Sequence, residues 1–482
     1  MPQSYIKRIL NARVYDVARE TPIDEARLLS QRLANRILLK REDLQPVFSF
    51  KCRGAFNKLA QLSREQLDRG VIAASAGNHA QGLALAAATL KVKAIIVMPK
   101  TTPSIKVEAV KSRGAKAILF GDTFEEAVAH ARELVETRGY IYIPPYDDPD
   151  IIAGQGTVGV EIVRQLSHPP DAIFIPVGGG GLLAGVAAFV KYMWPDTKIY
   201  GVEPADAACL ELAMQTGRRG TLKEVGLFAE GCAVAQIGKE TFRVIKDLID
   251  GVITVSSDEM CAAIKDIFED TRCIAEPAGA LALAGLKKFI EAEKLEGKTL
   301  LTIVSGANTN FDRLRYISER TEVGEKREAV LSAVIPERPG AFRAFCQAIG
   351  KRNITEFNYR YSDAHQARVF VGLTVNPTTT DRIDLLDALR AQGYSVDDLT
   401  DNEMAKLHVR FMVGGHVPGQ IGQECVYRFE FPERPGALGK FLSVLGNRWN
   451  ISLFHYRNHG AAYGRVLVGF QVGESERSSL EE

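Results

Sequence analysis

No apolar run in the 482 residues reaches the ~18 needed to cross a bilayer, so no membrane span is expected. Excess charge is lacking too. Lys and Arg number 60 against 59 Asp and Glu, a formal net charge of +1, which argues against a nucleic-acid or membrane-surface partner. Cysteine is sparse and scattered: Cys52, Cys209, Cys232, Cys261, Cys273, Cys346 and Cys425 are odd in number and form no CxxC pair. That pattern excludes a disulfide framework and a zinc site and fits a reducing, cytoplasmic compartment, with no metal expected. The first residues, "MPQSYIKRILNARVYDVARE", mix both charge signs through their apolar positions, unlike a signal or transit peptide. What is present is ordinary globular composition, 46% hydrophobic and 25% charged, in a chain too long for one core.

Between about residues 70 and 310, short apolar runs alternate with amphipathic helical patterns. "GVIAAS" leads into "NHAQGLALAAATL", "KAIIVMPK" into "TTPSIKVEAVKSRG", and "AIFIPV" into "GGGGLLAGVAAFVKYM". This alternation predicts an α/β fold, mainly parallel sheets covered by helices on both faces. A charged stretch ending at Glu328, "RYISERTEVGEKRE", reads as a linker. Beyond it the chain repeats itself. "PERPGAF" at 336–342 returns as "PERPGAL" at 432–438, "NITEFNYR" at 353–360 as "NISLFHYR" at 450–457, and "RVFVGLTV" at 368–375 as "RVLVGFQV" at 465–472. Each copy reads as strand, Pro-Gly turn, helix, strand, strand, the order of an α+β ferredoxin-like unit. The expected division is a domain over 1–320, a linker over 321–327, and repeats over 328–402 and 423–482. The second repeat stops early, so its last helix and strand are expected to be missing.

Three loops carry the chemistry. "SFKCRGA" (49–55) sets Lys51 among Val47, Phe48 and Phe50. Such a lysine either snorkels to solvent or offers a reactive amine as Schiff-base nucleophile or base. "PVGGGGLLAG" (176–185) follows a strand and opens a helix, a backbone cradle for a phosphate, although a tight turn alone would need only one glycine. "SAGNHAQG" (75–82) offers N–H groups and the Asn78 amide to a carboxylate or a ring hydroxyl, with His79 read as packing. This loop and "SGANTN" (305–310) lie at strand C-terminal ends, where open α/β sheets bind ligands. An amine, an anion loop and a polar loop at one sheet edge suggest pyridoxal 5'-phosphate, its phosphate in the glycines and its aldehyde on Lys51.

Taken in order, "SFKCRGA", "SAGNHAQG", "PKTTPSIKVEAVKSRGAK", "PPYDDPDIIAGQGTVGVEI", "GGGGLLAG", "FAEGCAV", "EPAGALALAG" and "SGANTN" resemble the biosynthetic threonine ammonia-lyases. These are type II fold (tryptophan synthase β family) pyridoxal-phosphate enzymes with C-terminal ACT-like regulatory repeats. The resemblance implies deamination of L-threonine to 2-oxobutanoate and ammonia, the first step of isoleucine biosynthesis. It implies Lys51 as the Schiff-base lysine and general base, and Asn78 at the ring hydroxyl. Gly178, Gly179, Gly180, Gly181 and Leu182 would hold the phosphate, and Ser305 the pyridine nitrogen. Ser75, Ala76, Gly77, Asn78 and His79 would form the substrate loop, with Glu276 of "EPAGA" a weaker polar contact. Alanine at position 76, where serine racemases of this superfamily carry a serine base, argues against racemisation. Implied too are isoleucine and valine as effectors, with Tyr359 and Tyr456 at equivalent repeat positions as their contacts, and a homotetramer. The rival readings are a serine dehydratase or other β-eliminase on the same fold, and a non-enzymatic amino-acid sensor.

Overall fold

The computed structural model describes residues 2–311, 313–324, 327–376, 380–402, 424–432, 437–445, 448–457 and 463–481. The chain divides into two compact units, Met1–Thr321 and Glu322–Glu482.

The first unit is built on two sheets. A six-stranded sheet runs in the order Ile23–Glu25, Arg36–Arg41, Thr299–Val304, Ala172–Pro176, Lys198–Pro204, Gly251–Val255, antiparallel only at its first pair. A four-stranded parallel sheet has the order Lys116–Leu119, Ala94–Met98, Val71–Ala74, Ile141–Tyr142. The strands Val71–Ala74, Ala94–Met98 and Ala172–Pro176 are buried along their whole length, which is why they read as continuous apolar runs. Helix starts follow local chemistry. Thr123 and Glu126 form a capping box on Phe124–Arg138, and Asp148 caps Pro149–Gln165 with proline in the first turn.

Two glycine contacts set the helix that carries Lys51. A Cβ on Gly154 would lie 2.6 Å from Gly54 Cα, so helices Lys51–Ala60 and Pro149–Gln165 cross glycine on glycine. A Cβ on Gly82 would lie 2.9 Å from the Lys51 carbonyl carbon, so helix Asn78–Leu90 abuts the lysine's backbone. The same helix is fixed by a buried ionic network. Arg53 donates to both oxygens of Glu42, at 2.8 Å each, and to Glu161 Oε1 at 2.6 Å. Lys40 closes the group on Glu161 Oε2 at 2.6 Å, and all four side chains are sealed from solvent. Burial alone would raise the Glu161 carboxyl, but Arg53 and Lys40 hold it below its ordinary value.

The stretch expected as a linker is instead helical over Arg313–Gly324. Its charges mask an inward face. Ile317 is buried, and Arg320 pairs with Asp258 at 2.6 Å. Of the expected linker, 325 and 326 lie outside the described residues, as do 423 and the 433–436 part of "PERPGAL".

In the second unit both repeats join one seven-stranded antiparallel sheet, ordered Ser395–Asp398, Glu328–Pro336, Gln366–Thr374, Ile354–Arg360, Asn450–Arg457, Tyr463–Gln471, Glu424–Pro432. Phe357 pairs with Tyr456, Asn358 with His455 and Tyr359 with Phe454. The repeat offset maps Phe357 onto Phe454 and Tyr359 onto Tyr456, so the two copies meet about a local two-fold at the Asn358–His455 pair. Register irregularities recur at matching places, Ile354/Glu356 and Ile451/Leu453. After Tyr463–Gln471 a 3-10 turn, Glu474–Glu476, and a short helix, Arg477–Glu481, occupy the place of the first repeat's helix Asp381–Ala391.

Replacing Glu161 by Ala leaves Arg53 and Lys40 without a buried partner. It should cost about 3–5 kcal/mol in urea unfolding, whereas Asp16→Ala, at the exposed Arg13–Asp16 pair, should cost under about 1 kcal/mol.

Candidate active site

The eight residues expected to hold the cofactor line one cleft of about 480 Å³, together with Phe50, Pro145, Tyr146, Gln155, Cys232 and Glu276. That size suits a small organic ligand.

Lys51 opens its helix and donates from Nζ to the Pro145 carbonyl at 2.9 Å. Burial lowers its amine to about 8, with Cys232 and Glu276 pulling the other way. Much of it is therefore the neutral nucleophile near neutral pH.

The glycine loop is a cradle that side chains would fill. A Cβ on Gly179 would sit 2.2 Å from the Tyr146 ring, and one on Gly178 2.9 Å from Cys232 Cα. Gly180 has φ +89°, the left-handed region, and starts helix Gly181–Met193. Thr241 Oγ1 donates to the Gly179 carbonyl at 2.8 Å, so that oxygen is already engaged. What remains for a ligand is backbone N–H at a helix N-terminus, which suits a phosphate.

Ser305 follows strand Thr299–Val304, and its hydroxyl donates to the Ala278 carbonyl at 3.2 Å. Asn78 begins its helix and donates from Nδ2 to Glu276 Oε1 at 2.5 Å. Burial raises the Glu276 carboxyl to about 7, against the pull of the Asn78 bond. The donor set fits pyridoxal 5'-phosphate: an amine for the aldehyde, backbone N–H for the phosphate, an amide for the ring oxygen and a hydroxyl for the ring nitrogen.

Ser75, Ala76 and Gly77 lie in the turn before helix Asn78–Leu90, beside the cleft and not among its lining. Ser75 Oγ accepts from Gly77 N at 3.3 Å, and a Cβ on Gly77 would meet nothing within 4 Å. His79 is buried, with Nε2 bonded to the Ile143 carbonyl at 2.9 Å, and burial lowers it to about 4, so it packs as a neutral ring. Tyr146, Gln155 and Cys232 were not singled out in the sequence. "PPYDD" after a short strand was the signal for Tyr146; a lone buried cysteine carries none.

The matching family models are the pyridoxal-phosphate dependent enzymes, over residues 14–306, and the C-terminal regulatory domain of threonine dehydratase, over 319–409 and 417–482. A biosynthetic L-threonine dehydratase of Burkholderia multivorans is 53% identical over 99% of this chain and 94% of its own length. The chain belongs to the biosynthetic threonine dehydratase family. The Escherichia coli K12 member is 54% identical over 98% of this chain and 91% of its own. Among solved structures, processed threonine deaminase isoform 2 of Solanum lycopersicum matches with a TM-score of 0.65 and 51% identity, covering 66% of this chain and 92% of that one. A second solved threonine deaminase, of bacterial size and lacking a comparable regulatory half, gives 0.60 and 38%, covering 64% of this chain and 98% of its own. Threonine dehydratases of this family depend on pyridoxal phosphate and carry a regulatory unit for a small-molecule effector, as this chain does.

The rate at which Lys51 of the apoprotein condenses with pyridoxal 5'-phosphate should rise with pH along one ionisation near 8, not the 10.5 of a free lysine. Stopped-flow absorbance across pH 6 to 10 (roughly two units either side of 8) measures it.

Proposed function

We propose that this chain deaminates L-threonine to 2-oxobutanoate and ammonia by β-elimination of water, opening isoleucine biosynthesis. The observation that carries the reading is the convergence of Lys51, the glycine loop, Asn78 and Ser305 on one cleft in a chain of this family. Bound there, pyridoxal 5'-phosphate supplies an electron sink for the substrate's Cα and an aldehyde for its amine. Lys51, freed when the substrate amine takes its place, is the base for the α-proton, and its lowered proton affinity leaves it neutral for that task. Ser305 offers the ring nitrogen a hydroxyl and no charge, which favours prompt loss of the β-hydroxyl. One water leaves and one is added back, so the products balance as 2-oxobutanoate and ammonia. The turn Ser75–Ala76–Gly77 presents N–H groups to the substrate carboxylate, with Asn78 and His79 closing the loop. Ala76 has no proton to exchange, which supports elimination over racemisation.

The second unit takes an amino-acid effector, which we read as isoleucine, inhibitory, with valine opposing it. Tyr359 and Tyr456 are buried in the sheet core; the Tyr359 hydroxyl donates to Glu337, whose other oxygen accepts from Asn450 of the second repeat at 2.8 Å. A cleft of about 340 Å³ lies beside this bridge, lined by Arg338, Phe342, Trp449 and Phe470. An effector seated there would act on the joint between the repeats. A cytoplasmic homotetramer completes the proposal.

Purified protein should form 2-oxobutanoate from L-threonine, and Lys51→Ala should abolish it; turnover of L-serine alone would overturn the substrate. Isoleucine should inhibit. Tyr359→Phe should raise the isoleucine concentration for half-inhibition about three- to tenfold, the worth of one hydrogen bond.

A further inference from the structure

Asn308 lies outside the cleft lining, yet its amide fixes the orientation of a residue inside it. Its Nδ2 donates to the Val47 carbonyl at 2.8 Å and to Asn78 Oδ1 at 2.6 Å. A backbone carbonyl only accepts, so the Asn308 group facing Val47 must be its NH2. The same NH2 faces Asn78, which must therefore present its oxygen. Asn78 is left with its NH2 turned to Glu276, at 2.5 Å. The Asn308 backbone N–H also bonds the Glu276 carboxylate. Donor polarity thus passes from a main-chain carbonyl through Asn308 to Asn78 without an alternative assignment.

The surroundings allow little slack. Phe50 N donates to the Ser305 carbonyl at 3.3 Å and Ala307 N to the Phe48 carbonyl at 2.9 Å, so 47–50 and 305–308 run locked together. Phe48 is held at φ +55°, a conformation an aromatic residue adopts only when its neighbours impose it. A Cβ on Gly306 would lie 2.4 Å from Glu276 Oε1.

We propose that Asn308 is a positioning residue that locks the Asn78 amide with its NH2 toward the cofactor. One N–H serves Glu276, and the second is aimed at the ring oxygen of pyridoxal 5'-phosphate. The proposal rests on the reading of the cleft as a pyridoxal-phosphate site. Flipped, Asn78 would set its carbonyl against two acceptors, the Glu276 carboxylate and the ring oxygen.

The test is the affinity of apoprotein for pyridoxal 5'-phosphate, together with the visible absorbance band of the loaded enzyme without substrate. Asn308→Ala should weaken binding about tenfold and shift the band, as Asn78→Ala does. Asn308→Asp, the same size but facing two acceptors with no NH2, should be worse than Asn308→Ala. In an Asn78→Ala background both substitutions should lose most of their effect on affinity, because the lock has nothing left to hold. If Asn308→Asp does not fold by circular dichroism, Asn308→Ala in the two backgrounds decides. Unchanged affinity and spectrum, or effects that simply add to those of Asn78→Ala, would overturn the lock while leaving the cofactor site standing. A wild type that binds no pyridoxal 5'-phosphate would overturn both.

Discussion

The buried group of Arg53, Glu42, Glu161 and Lys40 is the constraint on which the active cleft depends. Arg53 stands two residues after Lys51, and its guanidinium reaches Glu42, just past strand Arg36–Arg41, and Glu161, in helix Pro149–Gln165. Charges sealed from water are tolerated only when each is paired and hydrogen-bonded, so the group permits one arrangement of these elements. The reactive amine therefore starts from a helix whose position is set before any ligand arrives. Gly54 on Gly154 and Gly82 under Lys51 add a steric limit to the electrostatic one. Replacing either contact glycine would push the amine away from Pro145 and the loop.

The cleft itself is organised by absence of side chains on one wall and by directed polarity on the other. The glycine loop exposes main chain because Tyr146 and Cys232 already fill the space where side chains would go. Opposite, Asn308, Asn78 and Glu276 form a sequence of bonds whose sense is dictated by the Val47 carbonyl. Preorganised groups of this kind do not reorient during a reaction, which is where such sites gain their effect.

How far the sequence discloses this depends on range. Lys51, Asn78, the glycines and Ser305 were legible because each sits in a short motif at a strand's C-terminal end, a position defined by local pattern. Tyr146, Cys232 and the Asn308 bonds were not, because they depend on which loops the two sheets bring face to face. The helix Arg313–Gly324 was misjudged because its charges are satisfied within the fold, Arg320 by Asp258, and so looked like solvent-facing residues. The repeats were plain from their spacing. Their union in one sheet was not, because the register between Ile354–Arg360 and Asn450–Arg457 is a relation between edges and leaves no mark within either strand.

That union has a consequence for how the second unit folds and how it fails. Two separate repeats would present four open sheet edges; joined, they present two, Ser395–Asp398 and Glu424–Pro432. The gain depends on strands far apart in sequence finding one another, a slow step in a fold of high contact order. Until then each inner edge is exposed, and the local two-fold makes its own counterpart on another chain a geometrically acceptable partner. Strand exchange between chains is thus the misassembly this architecture invites, and high concentration during refolding is the condition that favours it.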